Sequence, residues 1–241
     1  MIARLAGAIQ FLTIIPIRGG GSSLGSSALF FPLVGAGLGA TGGGILEVSR
    51  GYLPFSLVCL LVLVFWILIT GGLHEDGFAD CADALRAWRT PEKMLAIMKD
   101  SRVGAHGALA LILLVLVRWE ALSAIAVAEP AALTAALALG RTAIVALLWC
   151  APPAGSGSAV AASASLSTAT ALLAMAQGAA FALLSGGRLA SLLLGGATAI
   201  VLLSRRYFVA RIGGVTGDCL GATALVVETW CFIVFTCRPC T

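Results

Sequence analysis

The sequence contains few charged residues, and this scarcity already narrows the class of protein. Only 11% of the 241 residues are charged and 60% are hydrophobic, whereas about 25% charged residues is typical of a soluble domain. A chain with so little polar surface cannot cover a globule in water. It is therefore predicted to be an all-α, polytopic integral membrane protein, with the lipid bilayer as its main partner.

The sequence also lacks a concentrated basic surface. Its formal net charge is only +4, and the basic residues are scattered along the chain. This distribution fits loops that face anionic headgroups at the cytoplasmic surface, and it argues against a nucleic-acid partner. The seven cysteines lie mostly within apolar runs, where cysteine behaves as a small hydrophobic residue. The spacing of Cys237 and Cys240 resembles a redox or metal pair, but a single pair is interpreted as incidental.

Long apolar runs predict about seven spanning helices of roughly 20 residues each, in a single membrane-embedded domain that covers 1–241. The predicted spans are 28–48, 53–70, 108–127, 131–150, 168–184, 189–203 and 220–235, and the fifth and sixth form a hairpin. A shorter apolar stripe before Pro16 predicts an N-terminal interfacial or re-entrant helix. The first span is rich in glycine, which suits close packing against neighbouring helices. Basic residues in the 74–106 and 204–217 loops predict that both loops are cytoplasmic.

The acidic residues are unevenly distributed. The chain has 11 of them, and more than half fall between 74 and 106, which both histidines also bracket. This polar segment contains His74, Glu75, Asp76, Asp80, Asp83, Glu92, Asp100 and His106.

If 74–85 is helical, Asp76, Asp80 and Asp83 lie on one face of the helix. Neighbouring carboxylates about 6 Å apart repel by about 3 kcal/mol at an effective dielectric constant near 20. A divalent cation would relieve this repulsion, and oxygen-only ligands favour Mg²⁺ or Mn²⁺. The alternative is a solvated helix face that Arg86 partly neutralises. His74 is open to two interpretations, a helix cap or a residue that acts on substrate.

Two further motifs suit a phosphate ligand. In the segment 99–107, Arg102 can bind phosphate in bidentate fashion, and Gly104 lets the backbone approach a ligand; the alternative is a helix cap and a positive-inside anchor. In the glycine-rich turn 213–221, free N–H groups at a helix start can also bind phosphate. Asp218 there would add a fourth carboxylate to the metal site, or simply cap the helix. Together these motifs predict metal-assisted phosphoryl transfer on a large or lipid-like substrate.

Three charged residues are predicted to lie deep in the membrane, namely Arg118, Arg141 and Glu228. Charges at that depth need partners or a water-filled cavity. The hypothesis is that Glu228 pairs with Arg118 or Arg141 beneath the active site. The alternative is that Arg118 extends its side chain to the membrane surface.

These motifs resemble the cobalamin synthase family, the adenosylcobinamide-GDP ribazoletransferases. The matching segments are 71–80 with Asp83, 100–104 with Gly107, and 214–222. Weaker matches are 11–13 with Pro16, 31–35, and Arg141. The resemblance implies a Mg²⁺-dependent enzyme of the bacterial inner membrane, with its active-site loops on the cytoplasmic side. It would join adenosylcobinamide-GDP to α-ribazole or α-ribazole 5′-phosphate and release GMP.

The resemblance also implies roles for particular residues. Asp76, Asp80 and Asp83, with Asp218, would hold the metal, and Arg102 would neutralise the transferred phosphoryl group. A carboxylate or His74 would accept the hydroxyl proton. The remaining predicted substrate-binding residues are Asp100, Ser101, Gly104, His106, Arg141, Gly214, Thr216, Gly217 and Glu228. Among them His106 stands at a position that is expected to vary in the family, so its predicted role is supporting rather than catalytic. Ala84 stands where the family pattern has glycine, which alters a turn and no ligand.

Two rival functions fit parts of the pattern. A CDP-alcohol phosphotransferase also arranges aspartates on membrane helices around a metal, but its signature requires arginine where this chain has Asp80. A corrinoid transporter would suit charges near the midplane of the membrane. However, no inverted repeat is visible, and the acidic residues cluster towards one surface.

Overall fold

The computed structural model describes residues 1–17, 21–86, 89–125 and 130–237, and these residues form an all-helical protein. Apart from one backbone bridge between Pro153 and Val215, the described residues form no β-structure. The helices are α1 (Ile2–Leu12), α2 (Leu24–Ser27), α3 (Phe31–Val48), α4 (Phe55–Thr70), α5 (Leu73–Ala84), α6 (Pro91–Ile97), α7 (Ala105–Ala124), α8 (Pro130–Cys150), α9 (Ser158–Ser165), α10 (Thr168–Gly186), α11 (Ala190–Ile212) and α12 (Gly217–Thr236).

The predicted class, a polytopic helical membrane protein, is confirmed. Five helical segments among the described residues are long and apolar enough to cross a membrane, and six if the bent pair α4 and α5 is one span. One of the five, Thr168–Ile212, consists of α10 and α11 joined by a short 3-10 turn, Gly187–Leu189. The predicted number of crossings, about seven, stays a prediction, and 126–127 of the third predicted span lie outside the described residues.

The predicted hairpin of α10 and α11 is confirmed by two contacts at the end of α8. Trp149 donates its indole N–H to the Thr168 hydroxyl at 3.4 Å, and Arg205 donates to the Cys150 carbonyl at 2.7 Å. The start of α10 and the C-terminal part of α11 therefore meet at the same end of α8, so the two helices run antiparallel.

Helix α8 is the centre of the bundle and is buried along most of its length, against α3, α10, α11 and α12. Glycines let α3 approach it closely. A side-chain carbon at Gly35 would meet the Leu137 carbonyl oxygen, and one at Gly39 would meet that of Leu133. The predicted role of the glycine-rich span is therefore confirmed, because small residues permit backbone contact where lipid provides no hydrophobic driving force.

The chain bends by 90° between α4 and α5. Gly71 and Gly72 form the bend with φ of +65° and +67°, a left-handed conformation that residues with a side chain adopt only at a cost. The sequence predicts a helix at 74–85 that continues out of the membrane, and the observed helix is instead a separate element turned across the end of the bundle. There α5 packs on the first turns of α7 and α12.

The loop 151–167 is more ordered than the sequence predicts. It contains α9, and its beginning pairs with the turn before α12. The Val215 N–H donates to the Pro152 carbonyl at 2.9 Å, and the Ala154 N–H donates to the Val215 carbonyl at 2.9 Å. This pairing holds the glycine-rich turn 213–217 at the same end of the bundle as α5.

Candidate active site

The acidic face of α5 meets the start of α12. A side-chain carbon at Gly77 would lie only 2.7 Å from the Cα atom of Asp218, so the two backbones are in direct contact. Asp80, on the same helix, is half-buried. Burial, followed by repulsion from Asp76 and Asp218 and more weakly from other carboxylates, raises the pKa of Asp80 from 3.8 to about 7. The predicted crowding of carboxylates is therefore present, and it favours either a proton or a cation at this point.

Asp83 makes a different contact from the one predicted. Its carboxylate accepts the N–H of Gly104 at 2.7 Å and the N–H of Gly107 at 2.9 Å. These donors lie at the start of α7, where backbone N–H groups have no partner within the helix. Asp83 is thus a cap supplied by a neighbouring helix, favoured further by the helix dipole. These hydrogen bonds favour a structural role for Asp83, whereas the metal-ligand role predicted for Asp83 and the substrate-binding role predicted for Gly104 stay predictions.

The predicted metal ligands are neighbours but do not enclose a metal site. Within the described ranges, no three histidine, cysteine or acidic side chains converge closely enough to hold a metal ion. Asp76 is exposed, and Asp80 and Asp218 are half-buried. These three carboxylates offer oxygen donors alone at a wet surface, a donor set that fits Mg²⁺ or Mn²⁺ better than Zn²⁺.

The loop before α7 carries a paired arginine. Arg102 donates from Nε to the Asp100 Oδ1 atom at 2.9 Å and from Nη2 to Oδ2 at 2.6 Å. These hydrogen bonds lower the pKa of Asp100 to about 2. The Arg102 side chain is 87% exposed, so its outer donors face solvent as a phosphate-binding role requires. Asp100 holds the arginine in place, and Ser101 beside it is exposed.

The residues in the turn before α12 that are predicted to bind phosphate differ in their exposure and in their contacts. Thr216 caps α12, since its hydroxyl accepts the Cys219 N–H at 3.4 Å and lies 3.2 Å from the Asp218 carboxylate. Gly217 is exposed, as a substrate contact needs. Gly214 is buried against the Pro152 and Pro153 backbone. The substrate-binding role predicted for Gly214 is therefore corrected to packing, and the capping alternative for Asp218 is wrong because Thr216 provides the cap.

A cavity of about 120 Å³ lies beside the carboxylates. Asp76, Asp218 and His74 line it together with apolar side chains, including Phe11 and Phe31. The Phe11 and Phe31 rings stack with their centroids 5.6 Å apart. These phenylalanines belong to the weaker motifs at 11–13 and 31–35, and the fold brings them to the polar residues of the strongest motif.

His74 lies beneath the acidic face. It is only 3% exposed, and burial, reinforced by Arg141 and Arg118, holds its pKa well below 6.5, so the imidazole is neutral. The C-cap of the membrane helix α4 is Gly71 and the N-cap of α5 is Gly72, so the capping interpretation of His74 is wrong. The Nε2 atom of His74 has no hydrogen-bond partner among the described residues.

The three deep charges form one buried cluster. Arg118 donates to the Glu228 Oε2 atom at 2.8 Å, and Arg141 donates to Oε1 of the same carboxylate. Their exposures are 5% for Arg118, 2% for Arg141 and 1% for Glu228. The pairing hypothesis is confirmed with both arginines, and the surface-reaching alternative for Arg118 is wrong. This burial leaves no surface of Arg141 or Glu228 for a substrate, so their role is corrected from binding to support.

His106 lines a different cavity from Asp76 and Asp218. It is exposed at the start of α7 and lines a cleft of about 850 Å³ with Phe78, Arg86, Arg206 and Tyr207. Sequence reasoning predicts His106 as a substrate-binding residue in the loop, and it does not predict this cleft. Its walls come from α5, α11 and α12, and contacts among these distant segments leave no local signal in the sequence.

Comparison with known proteins identifies the family. A family profile described as Cobalamin-5-phosphate synthase matches residues 4–236. The chain belongs to this family. A relative from Stutzerimonas stutzeri, named adenosylcobinamide-GDP ribazoletransferase, is 40% identical over 230 residues, which is 92% of each chain. Relatives of the same name from Shewanella piezotolerans (34% identical, 94% of this chain and 92% of the relative) and Ralstonia pickettii (36%, 92% and 90%) agree.

Family membership makes the chain a transferase that acts on a phosphorus-containing group. The match spans α1 to α12, so it includes the acidic helix, the Arg102 loop and the turn before α12. It decides against the CDP-alcohol phosphotransferase alternative. No solved structure matches the chain.

Proposed function

We propose that the chain is an adenosylcobinamide-GDP ribazoletransferase of the bacterial inner membrane. It joins adenosylcobinamide-GDP to α-ribazole or α-ribazole 5′-phosphate and gives adenosylcobalamin or its 5′-phosphate plus GMP. The relatives carry this name over nearly the whole chain. The observation that carries the mechanism is that Asp76, Asp80 and Asp218 lie together at one end of the bundle, where burial, followed by repulsion from the other two carboxylates, raises the pKa of Asp80 to about 7.

The proposed metal is Mg²⁺, with Mn²⁺ as the alternative ion of the same chemistry. Asp76 and Asp218 would hold it, and Asp80 would join them when ionised. Bound there, the ion would neutralise charge on the diphosphate oxygens. Asp83 would stay at the start of α7, where it already accepts two N–H groups.

The protein's own groups then have distinct tasks. A ribose hydroxyl oxygen forms a bond to the phosphorus attached to cobinamide, and the phosphoanhydride bond to GMP breaks. Arg102 binds the phosphoryl oxygens through its exposed donors. Asp80 accepts the hydroxyl proton, because a base acts best when its pKa is near the working pH. Neutral His74 lines the cavity beneath and keeps that wall uncharged.

The test is GMP release from adenosylcobinamide-GDP and α-ribazole, with and without Mg²⁺. Asp80→Asn should lower the rate by about 100-fold or more, since it removes a base and a metal ligand. Glu92→Gln is the matched control, because Glu92 is an exposed acid at the start of α6; its rate should be unchanged. Equal rates for Asp80→Asn and wild type contradict the mechanism. Uptake of a corrinoid into proteoliposomes without GMP release would favour a transporter.

A further inference from the structure

The buried ion cluster is not neutral when only its direct pairs are counted. Glu228 on α12 faces both Arg118 on α7 and Arg141 on α8. One carboxylate against two guanidinium groups leaves one positive charge in an apolar interior. Such an unbalanced buried charge is costly, because attraction to a single shared partner does not compensate for removing both cations from water.

Glu75 supplies the missing negative charge. It lies on α5 directly after His74, whose backbone lies against Gly221 of α12, and its carboxylate attracts the Arg118 and Arg141 guanidinium groups electrostatically. Its Oε2 atom is buried and has no hydrogen-bond partner within the described residues. With Glu75 included, the cluster contains two arginines and two glutamates and is electrically neutral.

The buried atoms of this cluster that lack a hydrogen-bond partner include both donors and an acceptor. Arg118 Nη1 and Arg141 Nε are buried donors without a partner in the described part of the chain, and Glu75 Oε2 is a buried acceptor. Leaving such groups unpaired is unfavourable, more so for charged groups. Pairing the acceptor with these donors, directly or through water, would satisfy all three groups.

Helix α5 is joined to α4 by a two-glycine bend, so its contacts with neighbouring helices determine its orientation. Two consecutive glycines with positive φ join it to α4, and they restrict the backbone less than other residues do. The Asp83 contact with α7 fixes its C-terminal end. Glu75 lies eight residues before Asp83, about 12 Å along the helix, and the acidic face lies between the two.

We propose that Glu75 is a positioning residue that closes a charge-neutral network with Arg118, Arg141 and Glu228. It fixes the N-terminal end of α5 to α7, α8 and α12, and so determines where Asp76 and Asp80 stand. The activity part of this proposal rests on the proposed function, and the stability part does not.

The stability test is a double-mutant cycle by thermal unfolding in detergent. Glu75→Gln should lower the Tm by about 5–10 °C, since it leaves an unpaired buried charge, and Arg118→Gln should do the same. The double variant Glu75→Gln/Arg118→Gln is neutral again and should lose much less than the sum of the two. The matched control is Glu47→Gln, which removes a surface pair with Arg50 at 3.8 Å and should change the Tm by about 1 °C or less. If Glu75→Gln lowers the Tm no more than the control does, the proposed network is wrong. It is also wrong if the Tm decrease of the double variant equals the sum of the decreases of the two single variants.

The positioning test measures the Mg²⁺ concentration that gives half-maximal GMP release, below the Tm of each variant. Glu75→Gln, or the neutral double variant if the single one does not fold, should raise this concentration about tenfold, which corresponds to a modest misplacement of the ligands. Glu47→Gln should not change it. A folded variant with an unchanged Mg²⁺ requirement overturns the positioning role. If wild type itself releases no GMP, the proposed function fails, and the thermal cycle still decides on the network.

Discussion

Asp80 and Asp83 lie within one turn of the same helix and differ in what surrounds their carboxylates. Asp83 accepts two backbone N–H groups at the start of α7, and its charge is compensated there by the helix dipole. Asp80 is half-buried and has other carboxylates as neighbours, and burial together with this repulsion raises its pKa to about 7. One residue is suited to holding the fold together and the other to binding a cation or a proton.

This difference predicts opposite effects for two substitutions. Asp83→Ala should lower the free energy of unfolding by about 1–2 kcal/mol, the usual cost of a lost helix cap. Asp80→Asn should leave stability unchanged or raise it in the absence of metal, because it removes carboxylate repulsion. Thermal unfolding of both variants in a metal-chelating buffer tests this. A larger loss for Asp80→Asn than for Asp83→Ala would contradict the assignment.

Several residues that the sequence predicts to contact the substrate are buried by the fold. Arg141 and Glu228 pair with each other deep in the bundle, and Gly214 packs against the Pro152–Pro153 backbone. These residues support the shape of the site from within the bundle. A sequence motif does not distinguish residues that contact substrate from residues that are buried, and the structure makes this distinction.

At the scale of elements, two sets of glycines position the site. Gly71 and Gly72 turn α5 by 90° from α4, and the glycines of α3 let α3 pack directly on α8. The bend at Gly71 and Gly72 is needed because a continuous helix would carry the carboxylates away from α12. The α3 glycines fix the position of α8, whose Arg141 pairs with Glu228 beneath α5.

The α3 contact gives a matched pair of substitutions in one helix. Gly39→Ala should lower stability by about 1–3 kcal/mol, since the added carbon would lie 2.6 Å from the Thr134 Cα atom. Gly37→Ala has nothing within 4 Å, and it should be neutral or stabilise by up to about 1 kcal/mol through helix propensity. The measurement is the Tm of each variant in the same detergent. Equal Tm values would show that α3 and α8 do not pack as described.

At the scale of the whole molecule, the chemistry lies at one end of an otherwise apolar bundle. Helix α5, the Arg102 loop and the turn before α12 all meet there, while the α3–α4 turn with Tyr52 lies at the other end of α3. The basic loops predict that the active end is cytoplasmic, where a soluble nucleotide substrate would reach it.

Labelling with a membrane-impermeant thiol reagent tests this orientation. In a background without the thiols of Cys237 and Cys240, Ser101→Cys should react only after cells are opened. Tyr52→Cys, at a residue that is 85% exposed, should react in intact cells once the outer membrane is permeabilised. The reverse pattern would overturn the predicted orientation, and equal labelling of both in intact cells would contradict a spanning bundle.

The sequence alone determined the class of the protein and the content of the acidic helix. A chain with 11% charged residues has only the membrane to cover its apolar surface, and helical periodicity places Asp76, Asp80 and Asp83 on one face because side-chain direction repeats with the backbone. The charged residues deep in the predicted spans also predict pairing, because an unpaired charge inside the membrane is unfavourable.

Only the tertiary structure decided which partner each group has. Asp83 meets residues 21 and 24 positions away, and Glu228 meets arginines 110 and 87 positions away. The bend at Gly71–Gly72 and the close approach of α3 to α8 bring these segments together. Local sequence encodes the helix and the face it presents, whereas the partner depends on how whole helices pack. The acidic helix could therefore be predicted from the sequence, but not which of its carboxylates caps α7 and which is crowded by Asp218 of α12.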